Sequence, residues 1–234
     1  MRHPYSLLGR TMALNKATLA KMIDHTLLKA ASTREEIMRF CDEGKRFGFA
    51  TVVVNPTYVS LASRLMKGTG VKVGTVVGFP LGANTPEVKA YEAWNCLTNG
   101  AEELDMVMNI GALKSGNLDL VKKDIEGVVR VAKARHALSK VIIEAGYLSR
   151  EEKVNACLVV LESGADFVKT STGFGSQGAT VEDVKLLKEL VADKIGVKAS
   201  GGIRTHRDAL SMIEAGATRV GSSSGVQILA EAPE

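Results

Sequence analysis

An α/β chain closed into a (β/α)8 barrel of the TIM type, preceded by one short extra helix, is the fold class this sequence predicts. Three observations predict it. Eight runs of β-branched and apolar residues alternate with stretches of helical periodicity, no linker interrupts them, and glycines gather late, each group at the C-terminal end of a run. With 234 residues, 45% hydrophobic and 24% charged, the chain has the size at which one such barrel closes. A single catalytic domain is therefore expected over 12–234. Residues 1–11 are set apart as an N-terminal extension, with Met12 as a candidate initiator, because helical patterning begins only near Asn15.

The runs cover 23–28, 51–54, 71–78, 103–109, 141–144, 166–170, 196–200 and 219–222. Helices are expected over 86–98, 118–135, 150–163, 181–191 and 206–215, several opened by a capping residue. Asn99-Gly100-Ala101, Ser163-Gly164-Ala165 and Ala215-Gly216-Ala217 each stop a helix just before a strand, which a glycine C-cap explains without function. An open doubly wound sheet is the alternative, but no GxGxxG turn follows an early strand.

The formal net charge is +4, with basic residues interspersed among acids, so nucleic-acid binding is not indicated. Cys41, Cys96 and Cys157 are odd in number, far apart and inside helical stretches, the pattern of a reduced, cytoplasmic chain. No apolar run approaches the roughly 20 residues of a membrane-spanning helix, and the first residues lack a signal-peptide core. His3, His25, His136 and His206 show no ligand spacing, and the last two are expected on helices facing solvent. No metal site and no cofactor is assigned.

Side chains alternate along a strand, so in ELDMVMN the residues Leu104, Met106 and Met108 share the face toward the helices, while Glu103, Asp105 and Val107 share the other. Asp105 then points into the barrel. The same alternation puts Lys169 of DFVKTST inward with Phe167, and Lys198 of GVKASGG inward between Val197 and Ala199. Each residue alone could belong to a buried ion pair or snorkel to the mouth. Together, near the C-terminal ends of different strands, they mark an active site. A lysine titrates near 10.4, so its amine becomes a nucleophile at neutral pH only if burial and a neighbouring positive charge lower that value by ~3 units. Asp105 is placed to pass protons. Which lysine attacks is left open by this reading. The loops holding Gly201-Gly202 and Gly221 to Ser224 sit where this fold binds phosphate, with Ser223 and Ser224 as hydroxyl donors at the first turn of a helix.

Seven ordered segments carry a resemblance across most of the chain: IDHTLLK at 23–29, VVNPTYV at 53–59, VGFPLGA at 77–83, ELDMVMNIGALKSG at 103–116, FVKTSTGFG at 167–175, GVKASGGIRT at 196–205 and GATRVGSSSG at 216–225. The sequence resembles the class I deoxyribose-phosphate aldolases. That resemblance implies reversible cleavage of 2-deoxy-D-ribose 5-phosphate to D-glyceraldehyde 3-phosphate and acetaldehyde in deoxynucleoside breakdown, by a commonly dimeric or tetrameric enzyme. It implies a Schiff base on Lys169, a pKa-lowering role for Lys198 and a proton-shuttle role for Asp105. It also implies that Asp24 and Thr172 lie near the sugar hydroxyls, and Gly173, Gly201, Gly202, Ser223 and Ser224 near the phosphate. Two alternatives stand beside it: another Schiff-base barrel aldolase for a different phosphosugar, and an inactive barrel that serves as a binding protein. The chain departs from the family where GFGSQGAT replaces a glycine with Gln177, which would strain the loop if that position required positive φ. It departs again at Ala145, where threonine commonly follows the glutamate.

Overall fold

In the computed structural model, which describes residues 14–233, the eight runs become eight parallel strands that pair in chain order and close β8 onto β1. The N-terminal extension and Met12 lie outside the described residues. After α1 (Lys16–Ala20), capped by the Asn15 side chain, the strands are β1 (Ile23–Leu27), β2 (Thr51–Val54), β3 (Lys72–Val77), β4 (Glu103–Val107), β5 (Leu138–Ile142), β6 (Phe167–Lys169), β7 (Gly196–Ser200) and β8 (Arg219–Ser222). Between and after them run α2 (Arg34–Phe47), α3 (Val59–Met66), α4 (Pro86–Thr98), α5 (Ile110–Lys114), α6 (Leu118–Ala134), α7 (Arg150–Glu162), α8 (Val181–Val191), α9 (His206–Glu214) and α10 (Gly225–Ala230).

Local chemistry sets the helix ends. Thr33 with Glu36, Ser149 with Glu152, and Thr205 with Asp208 form capping boxes that open α2, α7 and α9. Gly100, Gly164 and Gly216 have φ of +102°, +71° and +111° just beyond α4, α7 and α9, the conformation the sequence assigned to them. Cys41, Cys96 and Cys157 are buried free thiols on α2, α4 and α7.

Several boundaries move. The fifth strand begins at Leu138 and ends at Ile142, not at 141–144, because Ser139 and Lys140 are polar yet wholly buried, Lys140 inside the barrel and Ser139 against Asp166. The fourth ends at Val107, since Asn109 turns aside to cap α5 through its side-chain oxygen. The third covers only Lys72–Val77 and the sixth only Phe167–Lys169. His136 is not helical: it follows α6 in a left-handed turn at φ +54°. His206 is the first residue of α9 and half-buried, not solvent-facing, and its Nε2 is buried with no hydrogen-bond partner.

The main core fills the space between strands and helices, and includes Leu104, Met106, Val141, Val168, Val197 and Ala199. Outside the barrel interior one ion pair is also fully buried. Lys89 of α4 donates to Asp124 of α6 at 2.6 Å and to the Val107 carbonyl at 2.8 Å, tying two helices to β4. Breaking one side of such a pair strands a charge in a low-dielectric interior. Asp124→Leu should lower the unfolding free energy in urea by about 3 kcal/mol or more, and adding Lys89→Met should recover part of the loss. Equal stability of the single and double variants would count against this bracing role.

Candidate active site

Strand alternation and barrel closure bring seven charged side chains into one interior. The adjoining pairs Val76 with Asp105, Asp105 with Lys140, Ile142 with Lys169, Lys169 with Lys198 and Lys198 with Arg219 stand side by side in the strand registers. Asp24 on β1, next to Gly221 of β8, completes the ring. Gly221 carries no side chain where the stem of Lys198 passes; a Cβ there would lie 3.0 Å from Lys198 Cε.

Lys169, Lys198 and Asp105, the catalytic candidates of the sequence, do meet. Asp105 Oδ2 accepts from Lys169 Nζ at 2.7 Å and from Lys198 Nζ at 2.6 Å, while its Oδ1 accepts from Lys140 at 2.9 Å. Lys198 also binds Asp24 at 2.5 Å. Lys140 reaches Glu103 at 2.5 Å and Asp24 at 3.7 Å. Arg219 binds Asp24 at 2.5 Å and Glu103 at 3.3 Å, and lies 5.6 Å from the centre of the Phe167 ring. Asp24, expected near sugar hydroxyls, is fully buried with one oxygen held by Lys198 and the other by Arg219.

Four cations thus face three carboxylates. Lys140 touches three carboxylates, Lys198 and Arg219 touch two each, and Lys169 touches only one oxygen, shared with Lys198. If one proton must leave for the buried set to be neutral, Lys169 has the least to hold it. Burial is the largest force on this amine, and with the charges of Lys198 and Lys140 it outweighs the pull of Asp105, bringing Lys169 down to about 8. Burial works against ionisation of Asp105 as well, but Lys140, Lys169 and Lys198 overcome it and hold that carboxyl well below its ordinary range. Asp24 is lowered against its burial by Lys198, Lys140 and Arg219. Lys140 is raised, because Asp105, Asp24 and Glu103 more than offset its desolvation. An amine at about 8 is roughly one-tenth free at pH 7, some 300 times more than at its ordinary value.

Above the charged cluster the mouth is lined differently. Leu28, Val53 and Val76, with Phe79 against them, form a small apolar cluster separate from the main core, on the β1 to β3 side. Gly173, Gly201 and Gly202 follow β6 and β7 at φ of +83°, +87° and +80°. A Cβ on Gly201 would lie 3.0 Å from the Cα of Gly178 and 3.4 Å from that of Gly173, so the two loops approach through backbone alone, while around Gly202 there is open space. Ser223 is exposed; Ser224 stands at the N-cap of α10 with no side-chain cap bond, so both precede the helix rather than occupy its first turn. Gln177 is exposed and not among the non-glycine residues with positive φ, so the expected loop strain is absent. Its Cβ instead occupies the space beside Gly146. Ala145, the other departure, is buried in the core.

Sequence reasoning missed Lys140, Arg219 and Glu144. Lys140 fell one residue outside the expected strand, and Arg219 opened one without its facing being considered. Glu144 is buried at the end of β5 and accepts from Thr172. Among the described residues no group of three or more His, Cys, Asp or Glu is arranged to hold a metal ion. No helix among them is long and apolar enough to cross a membrane.

Comparison with known proteins gives one consistent family. Residues 18–231 match the model for DeoC/LacD family aldolases. A deoxyribose-phosphate aldolase of Geobacillus sp. (strain WCH70) is 61% identical over 211 residues, covering 90% of this chain and 94% of that one. One from Thermococcus gammatolerans is 58% identical over 213 residues, 90% of this chain and 95% of the other. Among solved structures, the deoxyribose phosphate aldolase of Aeropyrum pernix, described as having a unique tetrameric structure, superposes with a TM-score of 0.87 at 38% identity, covering 92% of this chain and 91% of that one.

The depressed amine has a pH signature. Between about 8 and the ordinary lysine range the folded chain binds fewer protons at Lys169 than the unfolded chain does. This group therefore adds stability as pH rises through that window and removes it as pH falls. Modification of Lys169 by an amine-directed reagent, followed by mass spectrometry, should titrate with a midpoint of about 8. In Lys198→Leu, which deletes a positive neighbour and frees Asp105 for Lys169, the midpoint should move up. An unmoved midpoint would leave burial and Lys140 as the causes, without Lys198.

Proposed function

The chain belongs to the DeoC/LacD family of aldolases, and on that premise we propose that it cleaves 2-deoxy-D-ribose 5-phosphate reversibly to D-glyceraldehyde 3-phosphate and acetaldehyde through a Schiff base on Lys169. The observation that carries this reading is the surplus of one cation over the buried carboxylates, with Lys169 the least held.

The free Lys169 amine attacks the aldehyde carbon and forms a carbinolamine, which loses water to give the iminium. The C2–C3 electron pair then moves into the iminium to form an enamine as the C3 hydroxyl gives up its proton by way of Asp105. The aldehyde product leaves, and the enamine is protonated and hydrolysed to acetaldehyde. Asp105 touches Lys169, Lys198 and Lys140 together, so it relays protons rather than storing one: with Lys169 as the free amine, the Lys140 and Lys198 cations keep it ionised. Lys198, held by Asp24 and Asp105, is the positive neighbour of the reacting amine, and Asp24 acts through Lys198. The apolar cluster of Leu28, Val53 and Val76 offers no hydrogen bond to a hydroxyl on the donor carbon, which suits a 2-deoxy sugar. Thr172 serves the sugar hydroxyls; Gly173, Gly201, Gly202, Ser223 and Ser224 serve the phosphate, through backbone N–H groups and hydroxyls at adjoining loops.

The same reading includes a homo-oligomer, supported by the tetrameric relative and by the exposed, mutually packed rings of Tyr91 and Trp94 on α4. Three reduced, buried cysteines fit a cytoplasmic protein.

Borohydride reduction in the presence of acetaldehyde should add one two-carbon unit at Lys169. No adduct, or an adduct only with a longer donor, would overturn the proposal in favour of another aldolase or a binding protein. The phosphate assignment has its own check. Ser223→Glu should raise KM for the phosphorylated sugar by roughly tenfold or more through like-charge repulsion, with little change for unphosphorylated deoxyribose. Equal effects on both sugars would place the phosphate elsewhere.

A further inference from the structure

Glu144 is a buried carboxylate that the reaction as described does not use. It is 2% exposed, and no cation pairs with it among the described residues. Its backbone is left-handed, φ +49° and ψ +62°, a conformation a glutamate holds at a cost, which the surrounding structure must offset. The strand ladder sets this position. Ile143 N donates to the Lys169 carbonyl at 3.0 Å and Ala145 N to the Thr170 carbonyl at 2.9 Å, so Glu144 stands beside the segment that leaves Lys169. Its carboxylate accepts from Thr172 twice, from the backbone N at 3.2 Å and from Oγ1. Gly175 leaves room for it: a Cβ there would come within 3.1 Å of the carboxyl carbon.

The polarity of these bonds has a chemical meaning. A threonine hydroxyl has one proton and two lone pairs. Glu144 Oε2 accepts from both the backbone N–H and the hydroxyl of Thr172, so the proton of that hydroxyl goes to Glu144. One lone pair of Thr172 Oγ1 takes the Phe174 N–H at 3.0 Å. What remains is a single lone pair, which can accept from a substrate hydroxyl and cannot donate to a carbonyl or phosphate oxygen. The Phe174 position is fixed by the same chain of bonds, and its ring meets Phe79 of the loop after β3 edge-on, with centroids 5.3 Å apart.

We propose that Glu144 is a positioning residue that commits the Thr172 hydroxyl to accepting a hydrogen bond from a hydroxyl of the sugar, and so sets specificity for a hydroxylated substrate beside Lys169. The inference rests on the aldolase reading and deepens it. A donor aldehyde without a hydroxyl makes no use of this contact; the phosphorylated sugar does.

The test compares two substrates on the same variants. In Glu144→Gln the amide can donate to Thr172 and reverse the polarity. In Thr172→Val the hydroxyl is gone, and Thr172→Ser keeps it. For deoxyribose 5-phosphate, kcat/KM should fall about 10-fold to 100-fold in Glu144→Gln and Thr172→Val, for loss of a hydrogen bond aimed at one substrate group. Thr172→Ser should stay within about threefold. The double variant should be no worse than Thr172→Val, since both act through one hydroxyl. Borohydride trapping of acetaldehyde at Lys169 should change far less than sugar cleavage in every variant. Glu144→Gly frees the left-handed backbone but removes both bonds to Thr172, so sugar cleavage should fall in it at least as far as in Glu144→Gln. Parallel loss of trapping and cleavage, or full cleavage by Thr172→Val, would overturn the inference. Failure of the unaltered protein to trap acetaldehyde would instead overturn the aldolase reading on which it rests.

Discussion

The carboxylate of Asp105 is shared among three buried lysine side chains, and most of the barrel interior is arranged around that sharing. An isolated carboxylate there would be too costly to keep, and so would each lysine. The set is tolerable only because every member has a partner, except that the count of cations exceeds the count of carboxylates by one. The surplus falls on Lys169 because β6 sets its amine against a single oxygen that Lys198 also uses. The low hold on Lys169 follows from incomplete neutralisation, not from any property of one lysine alone.

That arrangement divides the interior into two layers with separate duties. Glu103, Arg219, Lys140 and Asp24, near the starts and middles of their strands, close the floor and fix the upper charges. Asp105 and Lys198 join them from mid-strand, and Lys169, the last residue of β6, stands where a loop begins. The loops after β6 and β7 approach each other through Gly173, Gly178 and Gly201, leaving space that side chains would fill. Glu144 anchors the first of these loops through Thr172, so the segment following Lys169 is tied to β5 and not left to fray.

Much of this was legible because a strand alternates its faces. ELDMV announced Asp105 as inward by its apolar neighbours, and VKAS did the same for Lys198. The reading failed where that contrast was missing. Lys140 is preceded by Leu138 and Ser139, of which only Ser139 is buried, so the strand seemed to begin later. Glu144 gave no periodic signal at all, since it lies past the strand in a left-handed turn. Gln177 illustrates the opposite error: a departure from family pattern suggested strain, yet its backbone does not need the glycine conformation.

The sequence by itself determined the barrel, its strand order, the inward facing of the three catalytic candidates and the family, because each depends on local periodicity or on matching segments. Only the tertiary structure decided which amine is least held, what neutralises Lys198, and how Thr172 is polarised. Those depend on distances of 2.5 to 3.2 Å between groups that are 28 to 174 residues apart in the chain. Electrostatic and hydrogen-bond energies change steeply over such distances, and no pattern along a single strand encodes them.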